Sequence, residues 1–199
     1  MLDDTDEALV LRYQRGDLAA FECLVDRHRS GVLRFLARFL RDRARAEDLA
    51  QECWLRFIGA APRWRPQARF RTWLFAVARN LAADEARRMA HRRSSPLDDP
   101  PGRAGEQAAP GRSPEEAAFD LLLQPVLRAA IAGLPAEQRE VFLLREYEGV
   151  PFAEIAEITR APVPTVKSRM RYALEALRAR LASLGLAGEC APPVEGVEP

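Results

Sequence analysis

A length of 199 residues suits one large domain or two small ones, and a hydrophobic fraction of 48% is sufficient for compact cores. Leu, Ala and Arg dominate while the strand-formers Val, Ile, Thr and Tyr are sparse, which predicts an all-α fold. The net charge is only +1, charged residues interrupt every long apolar run, and the N-terminus is acidic, so we expect a soluble, cytoplasmic protein with no membrane insertion.

The small net charge conceals an uneven distribution along the chain. Residues 1–93 carry 19 arginines against 13 acidic residues, whereas residues 94–119 and 186–199 are acidic. The cations of the first part are all arginine, and Lys167 is the only lysine in the chain. Arginine content alone is weak evidence for nucleic-acid binding, so the positions of these residues in the fold must decide.

The cysteines do not form a disulfide or metal-binding pattern. Cys23, Cys53 and Cys190 are too few and too scattered for either. Cys23 and Cys53 fall within helical apolar patterns, so we expect both to be core residues. Neither histidine has a carboxylate or cysteine at ligand spacing, and we expect no metal or other cofactor.

The first predicted domain, residues 1–93, contains amphipathic helices with recognisable stop and start signals. Gly16 ends the first helix, and Asp17 is a suitable N-cap for the second. The loop 61–69 is rich in Arg, Pro and Trp and separates the last two helices. From the apolar spacing, helices are predicted over about residues 5–15, 18–40, 46–60 and 70–90.

The composition changes sharply after the first domain. Residues 94–114 are rich in Ser, Pro and Gly and have no apolar period, which predicts a flexible linker. Ser113 and Pro114 form a helix-start signature that opens a second helical domain over 115–185. The tail, 186–199, is predicted to be disordered.

The second domain contains a helix-turn-helix pattern over residues 135–183. Pro135 opens a helix that Gly149 ends, and residues 152–159 form a short helix with an apolar face. A tight connection follows, and a long helix begins at Pro164. Its apolar stripe consists of Val166, Met170, Ala173, Leu174, Leu177 and Leu181.

The N-terminal end of that long helix has the side chains of a recognition helix. Such a helix presents its first residues to base edges in the major groove, while basic neighbours hold phosphates. The alternative is a helical hairpin with a solvated polar face, but the tight spacing of the two helices favours DNA binding. The candidate contacts are Arg160, Thr165, Lys167, Ser168, Arg169, Arg171 and Tyr172.

The second domain resembles the fourth domain of bacterial sigma factors, specifically of the extracytoplasmic-function group. The resemblance rests on Leu134–Leu144, Phe152–Ile158 and Pro162–Arg169. The family usually has Gly where Arg160 and Pro164 stand here. Proline is tolerated early in a helix, whereas Arg160 must adopt the turn conformation that Gly would take.

The first domain carries an independent set of sigma-factor motifs in the expected order. Gly16–Asp17 with Ala20–Phe21 resembles the start of the family's second region. The polymerase-contacting helix is matched by Ala46–Glu52 with Leu55–Arg56, and the promoter-melting helix by Phe70–Asn80.

The spacing of four residues on the third predicted helix gives it an acidic stripe with an apolar edge. Asp48, Gln51, Glu52 and Leu55 lie at i, i+3, i+4 and i+7 and so share one helix face. A solvated face is the alternative. The resemblance implies that this face binds core RNA polymerase, through its beta-prime subunit.

The resemblance also places recognition of the melted promoter element in the first domain. Flipping a base out of the stack must be compensated by hydrogen bonds and stacking in a pocket. Asn80 can donate and accept hydrogen bonds, Trp64 can stack, and arginines can hold single-strand phosphates. For Phe70 and Trp73 we favour packing that supports the loop. The candidates are Arg56, Ala60, Arg63, Trp64, Arg65, Arg71 and Asn80, with Arg69 as a further phosphate contact.

The implied function is that of a sigma factor that directs core RNA polymerase to specific promoters. Its expected partners are the beta-prime and beta subunits, promoter DNA and an anti-sigma factor, and we expect a monomer. A stand-alone repressor would need a dimer seam, which the sequence does not display. An enzyme is not expected, because paired catalytic groups and a phosphate-binding Gly-rich loop are absent from the sequence.

Overall fold

The computed structural model describes residues 4–65, 69–93 and 124–186, and these residues form helices and no strand. The predicted linker, the helix start at Ser113 and nearly all of the tail lie outside the described residues. The all-α fold class is confirmed. Within the described ranges, no helix is both long and apolar enough to cross a membrane.

The helices of the first domain are α1 (Asp6–Gln14), α2 (Leu18–Leu40), α3 (Arg43–Ala60) and α4 (Phe70–Arg93), with a 3-10 turn over Ala61–Arg63. The second domain contains α5 (residues 124–132), α6 (Ala136–Phe142), a π-helical turn (Leu143–Tyr147), α7 (Phe152–Thr159) and α8 (Val163–Ala182). In the first domain these bounds agree to within one residue with the predicted helices except at the start of α3 and the end of α4. In the second domain α8 begins at Val163, one residue before the predicted Pro164, and the π-helical turn was not predicted.

Helix α3 begins three residues earlier than predicted because Asp42 caps it. The Asp42 carboxylate accepts a hydrogen bond from the Arg45 amide at 3.0 Å, so one of the amides left without a partner in the first turn is satisfied. The predicted cap Asp17 is confirmed, since its carboxylate accepts from the Ala20 amide at 3.3 Å.

Aromatic rings from all four helices form the core of the first domain. Phe57 of α3 is fully buried, and its ring centroid lies 4.9 Å from that of Phe70. The rings of Tyr13, Phe21, Trp54 and Trp73 surround Phe57 as well. This cluster fixes α3 and α4 relative to each other, and both helices carry candidate site residues.

One of the two cysteines expected in the core is not there. Cys53 is buried, but Cys23 is exposed. Cys23 directly precedes the buried Leu24, so it lies about 100° around the helix from the apolar stripe. The prediction for Cys23 was therefore wrong, because helical neighbours in sequence do not share a face.

The second domain folds around the predicted apolar stripes. Val166, Met170, Ala173 and Leu177 of α8 are buried, and Ile155 and Ile158 of α7 pack with them. The helix opened by Pro135 continues through the π-helical turn and ends at Gly149, which has a φ of +62°. Gly adopts this left-handed conformation at low cost, which allows the chain to turn into α7.

The two domains pack directly against each other. Helix α7 lies along α4, while α6 and the π-helical turn lie against α2. This arrangement places acidic side chains of the second domain next to arginines of the first.

Candidate polymerase and nucleic-acid interfaces

The acidic stripe of α3 lies on the molecular surface. Asp48 and Gln51 are exposed, Glu52 is half-buried, and Leu55 has 63% of its surface exposed. Ile58, which lies one turn beyond Leu55 and is 41% exposed, extends the apolar edge. The spacing i+3 from Leu55 was the signal that could have added Ile58 to the predicted face.

Arginines of the same helix partly neutralise this stripe. Arg45 approaches Asp48 to 3.5 Å, and Arg56 pairs with Glu52 at 3.0 Å. Both pairs are solvent-exposed, so each contributes at most about 1 kcal/mol and can be exchanged for a partner's charges. Arg56, predicted to contact melted DNA, is thus held beside the acidic stripe, while Ala60 ends α3 and is half-buried.

Trp64 anchors the loop after α3 to the core, and its ring is not presented to solvent. Trp64 is 7% exposed, and its ring meets that of Phe70 edge-on at 6.5 Å between centroids. The Gln14 side-chain amide donates to the Trp64 carbonyl at 2.9 Å and to the Ala61 carbonyl at 2.7 Å. Stacking of Trp64 on a base would require the loop to open, because the ring faces the core.

The arginines that flank Trp64 point outward. Arg63 and Arg65 are both exposed, and Arg65 also donates to the Trp64 carbonyl at 3.1 Å. Phe70 is buried and Trp73 is partly buried in the aromatic cluster, in agreement with the packing roles expected for them. The described part of the loop therefore offers cations at its surface and rings inside.

Arg71 and Asn80 lie on α4 but far apart. Both are half-buried, and the Arg71 guanidinium lies 5.7 Å from the centre of the Phe75 ring. Nine residues of helix separate them, which is about 14 Å along the axis at 1.5 Å per residue. The predicted residues for the melted element therefore line an extended surface rather than one compact pocket.

The N-terminal end of α8 presents most of its predicted DNA contacts to solvent. Lys167, Arg171 and Tyr172 are exposed, while Thr165, Ser168 and Arg169 are half-buried. Arg169 pairs with Glu137 of α6 at 2.5 Å, and the Ser168 hydroxyl donates to the Thr165 carbonyl at 2.9 Å. Arg169 therefore also ties α8 to α6.

Arg160 adopts the conformation that Gly would take at the end of α7. Its φ is +54°, in the left-handed region, and it is exposed. The next amide, that of Ala161, donates to the Ala156 carbonyl at 3.1 Å and closes the helix end. The turn thus keeps its geometry with Arg in place of Gly, and the Arg160 side chain reaches solvent beside α8.

A set of arginines facing the second domain was not anticipated from the sequence. Arg79 of α4 pairs with Glu140 at 2.9 Å, and Arg34 of α2 pairs with Glu148 at 3.1 Å. The partners of each pair are 61 and 114 residues apart in the chain. Apolar periodicity indicates the buried side of a helix but not which distant charges meet, so no sequence pattern predicts these pairs.

Two family models match the chain, one in each domain. Residues 24–93 match Sigma-70 region 2, and residues 125–177 match Sigma-70, region 4. The order of the two regions is the one expected from the motifs.

Relatives of known function match along most of the chain. The RNA polymerase sigma-H factor of Pseudomonas aeruginosa is 33% identical over 89% of this chain and 94% of its own length. The ECF RNA polymerase sigma factor SigC of Mycobacterium tuberculosis is 36% identical over 89% and 91%. The ECF RNA polymerase sigma-E factor of Escherichia coli is 32% identical over 87% and 92%.

Solved structures share the fold. CnrH in complex with the cytosolic domain of CnrY has a TM-score of 0.68 at 24% identity, covering 90% of this chain and 99% of that chain. The sigma factor RpoE in complex with the anti-sigma factor NepR, from Bartonella quintana, has a TM-score of 0.67 at 21% identity, covering 81% and 96%. With two region models in order and relatives above 30% identity along most of its length, the chain belongs to the extracytoplasmic-function group of RNA polymerase sigma factors, which direct promoter-specific initiation of transcription.

Proposed function

We propose that this sigma factor divides promoter recognition between its domains. The first domain binds core RNA polymerase through α3 and captures the melted element, and the second reads the upstream duplex element with α8. The polymerase supplies the catalytic chemistry, and the chain acts as a monomer in the cytoplasm. The observation that carries the proposal is the exposed stripe Asp48, Gln51, Glu52 and Leu55 on an otherwise basic domain.

The stripe has the properties of a protein-binding face. An exposed leucine and Ile58 provide apolar area to bury, and the carboxylates beside them can steer the domain to a basic surface. The beta-prime subunit is the proposed partner of this face, with the beta subunit contacted elsewhere. Because the stripe lies on α3, the arginines of α4 and of the preceding loop are left available to bind DNA.

The melted strand is proposed to run along α4 and the loop that precedes it. Arg63, Arg65, Arg69 and Arg71 supply cations for its phosphates, and Asn80 reads a base edge. Arg56 and Ala60 border this surface at the end of α3. Trp64 is proposed to support the loop until the strand enters, and its ring becomes a stacking surface only when the loop opens.

The upstream element is proposed to receive the N-terminal end of α8. Lys167 and Arg171 are exposed cations, and Tyr172 is 49% exposed beside them. Thr165, Ser168 and Arg169 complete the surface with short polar donors and a guanidinium, and Arg160 contacts a phosphate from the preceding turn. Side chains of this kind match the edges and backbone of duplex DNA.

An anti-sigma factor is a further proposed partner. One of the fold neighbours, RpoE, was solved in complex with the anti-sigma factor NepR. A protein that covered the α3 stripe would prevent binding to core polymerase, so this exposed face is the proposed target of such an inhibitor.

The polymerase-binding face is tested by reversing its charge. The double variant Asp48→Arg, Glu52→Arg is expected to lose at least about a hundredfold in affinity for purified core enzyme, because two repulsive contacts replace two attractive ones. Affinity is measured by fluorescence anisotropy of the labelled sigma factor. Circular dichroism should show unchanged helicity, since the ion pairs removed are exposed.

The double variant Glu22→Arg, Asp26→Arg is the matched control, because it changes the net charge by the same amount. Glu22 and Asp26 are exposed on α2, away from the stripe of α3. The control should keep the affinity of the parent chain within about threefold. Equal losses in the control and the double variant, or unchanged affinity in both, would remove the stripe from the proposal.

A further inference from the structure

A buried carboxylate of α4 is paired with an arginine of α3, the helix that carries the acidic stripe. Glu85 has only 2% of its side-chain surface exposed and is one of the largest fully buried side chains of the protein. The contacts proposed above for polymerase and DNA do not involve it. A buried charge is costly unless it is paired, so the partners of Glu85 indicate what it does.

Arg45 of α3 is the main partner of this carboxylate. One Glu85 oxygen accepts a hydrogen bond from the Arg45 Nε at 3.1 Å and lies 2.9 Å from the Arg45 Nη2. Arg88, on the next turn of α4, donates to the other oxygen at 3.4 Å. Glu85 therefore holds the Arg45 guanidinium against α4, although 41% of the Arg45 side chain is exposed.

The same guanidinium also approaches Asp48 of the stripe. The Arg45 Nη1 lies 3.5 Å from the Asp48 carboxylate, which is longer than an ordinary N–H···O hydrogen bond. The charge and hydrogen bond of Glu85 contribute more than those of Asp48 to raising the pKa of Arg45 above its ordinary value. Arg45 thus lies between two carboxylates and binds the buried one more closely.

The two carboxylates of the stripe differ in how far they are neutralised. Glu52 is in direct contact with Arg56 at 3.0 Å. Asp48 is 65% exposed and keeps a longer separation from Arg45. Its negative charge is therefore available to a partner protein as long as Arg45 stays on Glu85.

We propose that Glu85 is a positioning residue for polymerase binding, because it holds the Arg45 cation away from Asp48 and so preserves the negative charge of the stripe. This role rests on the assignment of the stripe to core polymerase. Glu85 itself is buried, so it acts through Arg45 and not by contact with the polymerase. Without the Glu85 charge, Arg45 closes on Asp48, since residues spaced i and i+3 on a helix can form an ion pair.

Glu85→Gln tests this role in the full chain. The glutamine keeps the shape of the side chain and an acceptor oxygen but removes the charge. An exposed ion pair is worth at most about a fivefold change in an equilibrium constant, so affinity for core polymerase should fall about three- to fivefold. Affinity is measured by fluorescence anisotropy at low salt, and thermal unfolding verifies that the variant is folded.

Asp84→Asn is the matched control for Glu85→Gln. It removes one carboxylate from the adjacent position of α4, but the partner of Asp84 is Arg87 and not Arg45. Affinity for core polymerase should stay within about twofold of that of the parent chain. An equal loss in Asp84→Asn and Glu85→Gln would overturn the specific role of Glu85.

Arg45→Gln distinguishes a positioning role from a purely structural one. If Glu85 acts by holding Arg45, the double variant Glu85→Gln, Arg45→Gln should recover at least the affinity of the parent chain, because no cation is left to neutralise Asp48. If the ion pair only fixes α4 on α3, Arg45→Gln alone should weaken binding as much as Glu85→Gln does, and the double variant should not recover. The second pattern would overturn the proposal.

The movement of Arg45 is measured in the free protein by carbon-13 NMR of the Asp48 side-chain carboxylate. The resonance is assigned by its loss in Asp48→Asn. It should shift in Glu85→Gln by more than in Asp84→Asn, and Glu85→Gln should cause no such shift in a chain that already carries Arg45→Gln. A resonance that Glu85→Gln leaves in place would overturn the proposed movement.

The two assays separate the role of Glu85 from the function on which it rests. If the Asp48 resonance moves but core affinity does not, while Asp48→Arg, Glu52→Arg still weakens binding, the role of Glu85 is overturned and the stripe stands. If that charge-reversal variant binds core polymerase normally, the assignment of the stripe fails first, and the role of Glu85 in binding fails with it.

Discussion

Arg160 holds a left-handed backbone conformation that costs a residue with a Cβ about 1 kcal/mol. Arg160→Gly should therefore stabilise the protein by up to about 1 kcal/mol, less the extra entropy that Gly gives the unfolded chain. The same substitution removes the proposed phosphate contact, so affinity for promoter duplex should fall. Urea unfolding and duplex binding measure the two effects separately.

Arg41 is the internal control for Arg160. It ends α2 with a φ of +63°, so Arg41→Gly should give a similar gain in stability without any change in duplex affinity. A clear loss of stability in Arg160→Gly would show that its side chain stabilises the turn by more than the backbone strain costs.

Glu148 gives the contact between the two domains a predicted dependence on pH. Burial raises the pKa of Glu148 above its ordinary 4.5, although the hydrogen bond and charge of Arg34, and the charges of Arg71 and Arg38, act to lower it. With the domains packed together, Glu148 then takes up a proton more readily than it does when the domains are apart. Acidification through the window between the raised pKa and 4.5 should therefore strengthen the contact between the domains, and a rise in pH should weaken it.

Glu148→Gln removes this titration while it keeps a hydrogen-bond acceptor for Arg34. The domains of the variant should stay packed at neutral pH, and the distance between them should respond less to pH than in the parent chain. The distance between spin labels on Cys23 and on Ala179→Cys, in a chain that also carries Cys190→Ser, checks this expectation from about pH 4.5 to pH 7.5. If acidification separated the domains of the parent chain in this window, the predicted sign would be wrong.

Individual residues also show where prediction from the sequence succeeds. Gly16, Asp17 and Gly149 act through their own backbone or cap, so their roles follow from local chemistry alone. Trp64 could not be placed in the same way. Its backbone carbonyl accepts a hydrogen bond from Gln14, which is 50 residues away, and no local pattern records that contact.

At the scale of elements, the inner face of α3 stabilises the fold and its outer face is the one proposed to bind core polymerase. Phe57 faces inward at the centre of the aromatic cluster, so Phe57→Ala should cost about 3–5 kcal/mol of unfolding free energy. Leu55, two residues earlier and 63% exposed, is the control on the outer face. Leu55→Ala should leave stability within about 0.5 kcal/mol and weaken binding to core polymerase.

Thermal and urea unfolding of both variants provide the stability measurement. Similar losses of unfolding free energy for the two substitutions would mean that Leu55 packs against the fold and is not a free surface for a partner protein. The inner and outer faces of α3 were predictable because the i, i+3, i+4, i+7 spacing fixes them. The helix starts three residues before its predicted start because Asp42 caps it.

At the scale of the whole molecule, the two domains and their order could be predicted, but their contact could not. The helix-turn-helix and the α3 stripe are local patterns, and each lies where its spacing places it. The pairs Arg34–Glu148 and Arg79–Glu140 join residues across the domain boundary. In the sequence these residues resemble any exposed charges, so only the three-dimensional arrangement reveals the contact between the domains.

Run-off transcription with purified core polymerase on genomic templates tests the central claim most directly. The parent chain should start discrete transcripts from specific sites, and Asn80→Ala should bind core polymerase normally but form few open complexes. If the parent chain bound no core enzyme and started no transcript, the account of a promoter-directing sigma factor would be contradicted.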